Sequence, residues 1–257
     1  MKSNLLTILV VMIFLPLISL LVLDCSSRSN PTGPDDSGWP TPRANKEAEE
    51  AALWLSDSLI APEWLYQDIL IHLAVIRTLY GDSIQKVREI EFVPPWSSNS
   101  ISLKVTEQAR EQIRAGEYHD LDLLNFAFHH VSTDTILLGW LGYIYLSFEG
   151  RLNPERLAEL YSEVPSVLYA SQASHRIGDY PNIYPWFSDN GVTYLLRDAW
   201  GDCPSGCIYS IYWYFKAADS GIEYIGFWDP QTQPEPDWWE QGKAGMWHYM
   251  RFDELLP

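Results

Sequence analysis

Apolar residues recur every three or four positions in the first part of the chain beyond residue 44, which is the spacing of amphipathic helices. Asn45 can cap a first helix, and Pro62 suits the first turn of a second helix that Gly81 ends. The second helix has four apolar residues on one face: Leu65, Ile69, Leu73 and Ile76. The pattern therefore predicts a helical region over residues 44–99.

The pattern then changes to short alternating runs separated by helical ones. The predicted order is strand, helix, strand, strand, helix, strand, at residues 101–105, 107–130, 135–138, 143–148, 153–165 and 167–170. The second helix begins in the favoured way, with the cap residue Asn153 followed by Pro154. This order over residues 100–172 predicts a ferredoxin-like plait.

Three further strand patterns follow, at residues 192–196, 208–215 and 222–228, and the last two are joined by a hairpin turn. They predict a small antiparallel β meander within residues 173–257, which ends in a C-terminal tail. The fold class is therefore α+β, with N-terminal helices, a ferredoxin-like plait and then the meander.

The first 25 residues have the pattern of an export signal. Lys2 precedes an uncharged apolar run at residues 5–23, whose 19 residues would reach about 28 Å as a helix, close to a hydrocarbon core. Cys25 follows, and the pattern resembles a bacterial lipoprotein signal, which implies removal of residues 1–24 and lipidation of Cys25. Asp24 departs from that pattern, because a small residue usually stands there. The alternative is an uncleaved single-span anchor.

Residues 25–43 are rich in Ser, Pro, Gly and Asp and have too few aliphatic side chains to form a core, which predicts a flexible tether. We expect the protein in the cell envelope, facing the periplasm or the exterior. The membrane is then a partner, through lipid on Cys25 or through an uncleaved N-terminal span. A secreted protein is the other possibility.

Composition narrows the choice of partner. The chain has a net charge of −17, with 34 acidic against 17 basic residues, so it repels phosphate backbones and nucleic acid is not expected as a partner. Aromatic residues are abundant, with 12 Trp, 15 Tyr and 9 Phe, which serves either thick core packing or an aromatic binding face. The expected partner is a protein or a glycan.

Cys203 and Cys207 enclose a short loop that contains Pro204 and Gly206. An oxidising compartment favours a disulfide between them. Redox catalysis prefers two intervening residues beside a helix, and a metal site needs further ligands that are not nearby. We therefore predict a structural disulfide.

Other chemistry has little support in the sequence. His129 and His130 are adjacent, so on a helix they point about 100° apart and are poorly placed to share a metal ion. No nucleophile elbow, zinc-binding helix motif or phosphate-binding glycine loop is present in the sequence. We therefore assign no catalytic, cofactor or metal residues and expect a protein that is not an enzyme.

Residues 143–172 resemble the second half of subtilisin-propeptide inhibitor domains, which share a strand, a helix closed by a proline turn and a valine-led strand. The resemblance extends weakly over residues 100–172. It implies a plait that covers a protease with its sheet, and a tail that would correspond to residues 169–172. Residues 199–207 resemble a segment that follows such a plait in secreted bacterial proteins, which implies a shared architecture and no particular activity.

Three hypotheses for function follow. The first is a non-catalytic, envelope-anchored binding or structural protein. The second is a protease inhibitor of the propeptide-like type. The third is a carbohydrate-binding or carbohydrate-processing protein, which requires exposed indoles on one face among Trp186, Trp200, Trp213 and Trp228.

Overall fold

The computed structural model describes residues 42–174, 179–218 and 220–254, which fall within one compact unit spanning residues 40–257. The predicted export signal, Cys25 and most of the predicted tether lie outside the described residues. Within the described ranges, none of the helices combines the length and the apolar character that a membrane span requires.

The two predicted N-terminal helices are present as α1 (Lys46–Ser56) and α2 (Glu63–Tyr80). The Asn45 side chain caps α1, accepting a hydrogen bond from the Ala48 N–H at 2.9 Å. The four apolar residues that define the predicted face of α2 are all buried. A short 3-10 turn (Gln85–Arg88) follows before the first sheet.

The plait is also present, with its predicted element order. Its elements are β1 (Trp96–Val105), α3 (Glu107–Arg114), α4 (Asp122–Ala127), β2 (His130–Asp134), α5 (Leu138–Leu141), β3 (Tyr143–Phe148), α6 (Pro154–Ser162) and β4 (Val167–Ser174). The strands are antiparallel in the order β2-β3-β1-β4, as the split β-α-β arrangement requires. The predicted α+β fold is confirmed.

Two local predictions within the plait are wrong. The helix predicted at residues 107–130 is divided into α3 and α4, because Gly116 after α3 takes a left-handed conformation, with φ of 78°. The strand predicted at residues 135–138 lies earlier in the chain, as β2. A four-residue apolar run does not distinguish a strand from a helical turn, and here Leu138 is buried at the start of the turn α5 while Ile136 is exposed.

The second sheet contains the three predicted strands and one more. Its strands are β5 (Asn182–Ser188), β6 (Gly191–Trp200), β7 (Tyr209–Ala218) and β8 (Gly221–Trp228), antiparallel in that order. The additional strand, β5, contains Pro185, which interrupts a strand pattern and is tolerated at a sheet edge. The part predicted as a C-terminal tail contains a helix, α7 (Trp239–Glu254).

The second sheet lies between two layers of helix. On one face Tyr194 contacts His72 of α2, and on the other face Leu195 lies beside Gly242 of α7. Residues 192–197 are consequently all buried, on both faces of β6. The N-terminal helices, the second sheet and α7 thus share one hydrophobic core.

Polar contacts join the plait to this core. Glu49 of α1 pairs with Arg151 at 2.5 Å, next to the start of α6, and the Ser98 hydroxyl of β1 donates to Glu50 at 2.7 Å. The Asn153 N–H donates to the Leu59 carbonyl at 2.9 Å. These contacts fix the plait relative to α1.

Candidate functional site

The most promising surface feature is an open cleft of about 540 Å3 between α7 and the edge strand β5. Its volume falls within the range of about 300–1,000 Å3 that small-molecule sites occupy. The cleft is lined by Trp186, Glu240, Lys243, Ala244, Trp247 and His248. We call this feature the α7 cleft.

Five of the six lining residues come from one face of α7. Their spacing from Glu240 is three, four, seven and eight residues, which places them on adjacent turns of the same helical face. The neighbouring face of the helix carries the buried residues Trp239, Met246 and Tyr249. Sequence reasoning missed the cleft because α7 was not predicted, although this spacing was the available signal.

A glycine brings α7 close enough to β5 to form the cleft. A Cβ atom at Gly245 would lie 3.1 Å from both the Pro185 carbonyl oxygen and the Trp186 Cβ. Such distances are tighter than ordinary van der Waals contact, so glycine permits the close approach of the helix to the strand backbone. The same approach sets His248 beside Trp186.

Aromatic rings hold one wall of the cleft. The His248 ring lies between two indoles, with its centroid 4.9 Å from that of Trp54 and 5.1 Å from that of Trp186. The rings are tilted by about 50°, within the geometry that aromatic pairs favour. Trp247 is 51% exposed, so much of its indole is available to a ligand.

One ion pair supplies charge to the cleft. Lys243 pairs with Glu240 one turn earlier, and the lysine side chain is mostly covered whereas the carboxylate is exposed. The two charges neutralise each other, yet both retain hydrogen-bonding capacity toward a molecule in the cleft.

A second feature is the loop closed by the predicted disulfide. The sulfurs of Cys203 and Cys207 lie 2.21 Å apart, which confirms the pairing. Gly206 has a positive φ, at 112°, which glycine adopts without strain. The side chain of Asp202 makes no capping hydrogen bond to the turn.

Asp179 holds this loop in place. Its N–H donates to the Cys203 carbonyl at 2.8 Å, and its carboxylate accepts from the Cys207 N–H at 3.1 Å. Arg197 of β6, almost fully buried, binds the same carboxylate with two hydrogen bonds of 2.5 and 2.6 Å. Burial opposes ionisation of Asp179, but the bonds from Arg197 outweigh it and hold the pKa of the carboxyl below its usual range.

The four tryptophans considered for glycan binding do not share an exposed face. Trp213 and Trp228 are buried in the second sheet. Trp200 is exposed at the end of β6, where its ring lies 5.9 Å from that of Tyr209 beside the disulfide loop. Trp186 is half-buried and lines the α7 cleft.

The sequence predicted the adjacent histidines at the end of a helix, but neither lies on one. His129 precedes β2 with φ of 49°, and His130 begins that strand. Partial burial lowers the pKa of His130, whose ring contacts the Thr133 hydroxyl at 2.8 Å. No group of three or more His, Cys, Asp or Glu side chains within the described ranges is arranged to hold a metal ion.

The buried carboxylates of α1 have structural partners. Glu47 binds Arg77 of α2 through both oxygens, at 2.7 and 2.8 Å, and also accepts the Phe92 N–H. Burial raises the pKa of the Glu50 carboxyl, against the lowering effect of the hydrogen bond from Ser98. These acids connect α1 to its neighbours. Glu47 and Glu50 also line an open cleft of about 400 Å3 beside residues 91–93, together with the basic side chains of Lys46 and Arg77.

Comparison of the chain with protein-family models, with curated proteins and with solved structures found no significant match. The functional argument therefore depends on the chain's own residues.

Proposed function

We propose that this chain is a non-catalytic binding protein of the cell envelope, anchored through its N-terminal segment. The observation that carries the proposal is the α7 cleft, which is open, partly aromatic and formed by a helix seated closely on a sheet edge. Envelope anchoring is supported by the sequence of residues 1–25, with Cys25 as the lipid-bearing residue.

The arginine pairs of three carboxylates support binding rather than catalysis, although Glu50 lines a cleft and burial raises its pKa. Catalytic carboxylates commonly stand in a cleft with their pKa values set for proton transfer. Here Glu47, Glu49 and Asp179 each pair with an arginine, and those pairs join elements of the fold.

Two measurements test the proposal. Intact-mass analysis of protein isolated from cells should show loss of residues 1–24 and added acyl mass, and Cys25→Ala should abolish the added mass. Detection of residues 1–23 on the mature protein would establish the uncleaved anchor instead. A protein of residues 40–257, which lacks the apolar N-terminal run, should also cosediment saturably with envelope material stripped of its own proteins. Absence of cosedimentation would contradict a binding function.

A second candidate function is protease inhibition through the plait. The face of the first sheet opposite α6 carries Tyr143, Tyr145 and Tyr169. Each of them lies opposite a residue of the central strand β1, and Tyr169 is exposed. Residues 169–172, which correspond to the inhibitory tail in the resemblance, pair with β1 inside β4. An inhibitor of this kind would therefore act through the sheet face. Titration of secreted serine proteases tests it, and no inhibition at micromolar protein would eliminate it.

A further inference from the structure

We propose that the α7 cleft binds a pyranose ring of an oligosaccharide, with Trp247 as the stacking platform. This inference depends on the proposed binding function and adds to it the ligand class and the site. It also differs from the expectation from sequence, because Trp247 was not among the tryptophans considered for glycan binding.

The shape of the cleft favours a flat, partly apolar ligand. A pyranose with equatorial substituents presents a face of C–H groups, which packs against an exposed indole while its hydroxyls point sideways. Trp247 offers such an indole, and half-buried Trp186 supplies a second indole to the lining of the cleft. Because Trp186 and His248 are packed against their neighbours, this wall is already formed before a ligand enters.

The polar groups of the cleft suit the hydroxyls of a sugar. The Glu240 carboxylate accepts hydrogen bonds and the Lys243 ammonium donates them, so together they match a diol, in which each hydroxyl both donates and accepts. A sugar is neutral, so it binds without either charge having to be compensated by the ligand.

An organic cation is the main competing ligand, because aromatic rings beside a carboxylate attract quaternary ammonium groups. Lys243 argues against it. Its ammonium lines the same cleft and already neutralises Glu240, so a second cation would meet repulsion instead of an unpaired carboxylate. The pairing of Glu240 with Lys243 is therefore the feature that selects a neutral polyol.

The test is calorimetric titration of the full-length protein, purified in a detergent without sugar groups. The probes are chitotetraose, cellotetraose and maltotetraose, with tetramethylammonium as the cation probe. We expect binding of at least one oligosaccharide, and the three arms distinguish N-acetylated, flat and curved chains. Binding of tetramethylammonium alone, or of none of the four probes, would overturn the inference.

Variants locate the site. Trp247→Ala should weaken oligosaccharide binding by at least about tenfold. The matched control is Trp64→Ala, because Trp64 is similarly exposed (56% against 51%) but lies on α2, across the sheet from α7. The control should change affinity by less than about twofold. Equal effects of the two substitutions would show that the sugar binds elsewhere.

A second variant keeps the test decisive if Trp247→Ala unfolds the protein. Ala244→Gln adds a helix-compatible side chain to the cleft wall without removing an aromatic contact, and it should also weaken binding by about tenfold. Unchanged affinity in a folded Ala244→Gln protein would overturn the inference.

Cosedimentation with envelope material remains a separate measurement. If it persists when no oligosaccharide binds, the ligand class is wrong and the binding function stands, whereas loss of both contradicts both.

Discussion

The disulfide and Asp179 hold the same loop, so we predict that their contributions to stability are coupled. Asp179 forms hydrogen bonds with the backbone of both cysteines: its N–H donates to the Cys203 carbonyl, and its carboxylate accepts from the Cys207 N–H. Once the disulfide is removed, the loop gains alternative conformations in which these hydrogen bonds are not made. Removing Asp179 from such a protein should therefore cost less than removing it from the native one.

The expected magnitudes follow from the structure. The bond between Cys203 and Cys207 closes a five-residue loop, for which chain entropy gives about 2 kcal/mol at 25 °C. Asp179→Asn leaves the buried Arg197 charge without its partner. The cost should be about 2–3 kcal/mol, somewhat below that of breaking a fully buried pair, because the Asp179 side chain is 31% exposed. The triple variant should lose about 1 kcal/mol less than the sum.

The assay is equilibrium urea unfolding of residues 40–257 at pH 7, followed by circular dichroism and by tryptophan fluorescence. Asp57→Asn provides the matched control, since Asp57, directly after α1, pairs with Arg156 of α6 at the surface, away from the loop. Its effect should be below about 1 kcal/mol and additive with loss of the disulfide. Additivity for Asp179→Asn as well would refute the idea that the two groups hold one loop.

Two further predictions concern other parts of the fold. Glu50→Gln should raise the free energy of unfolding at pH 7, because the pKa of Glu50 is raised on folding and its charged form therefore weakens the folded state. The gain should fade as the pH falls toward the ordinary glutamate pKa of about 4.3, and a pH-independent effect in urea unfolding would contradict this reasoning. Gly245→Ala should lower the free energy of unfolding by about 1 kcal/mol despite the better helix propensity of alanine, because the added methyl group would lie 3.1 Å from the Pro185 carbonyl oxygen. A thermal unfolding midpoint equal to or above that of the native protein would show that α7 does not pack tightly on β5.

Elements with a strong local signal were predictable from the sequence. The α2 helix has an apolar face at regular spacing with a proline at its start, and α6 has an asparagine cap followed by proline. The plait topology followed because its element order admits few arrangements. In each case the residues that decide the structure are close together in the chain.

The rest depended on contacts between distant residues. The strand β5 is interrupted by Pro185. In α7 two glycines and aromatic residues on more than one face weaken the signal of the helical spacing. The glycines are explained only when the helix is seen against the sheet. Likewise, the pairing of Asp179 with Arg197 joins residues 18 positions apart, across the start of the second sheet. No spacing rule in the sequence indicates that contact.

The abundance of aromatic residues has two separate causes, and only one of them bears on function. The second sheet is covered on both faces, so its strands need large apolar side chains on both sides. Trp213 and Trp228 are buried for that reason, and Trp239 of α7 is buried against Trp228. A count of tryptophans therefore overstates the surface available to a ligand. Exposure alone is also insufficient, because Trp64 is as exposed as Trp247. Trp247 differs because it lines a cleft with a second indole and an internally neutralised pair of charges, so the proposed sugar would meet an aromatic ring and polar groups in one place.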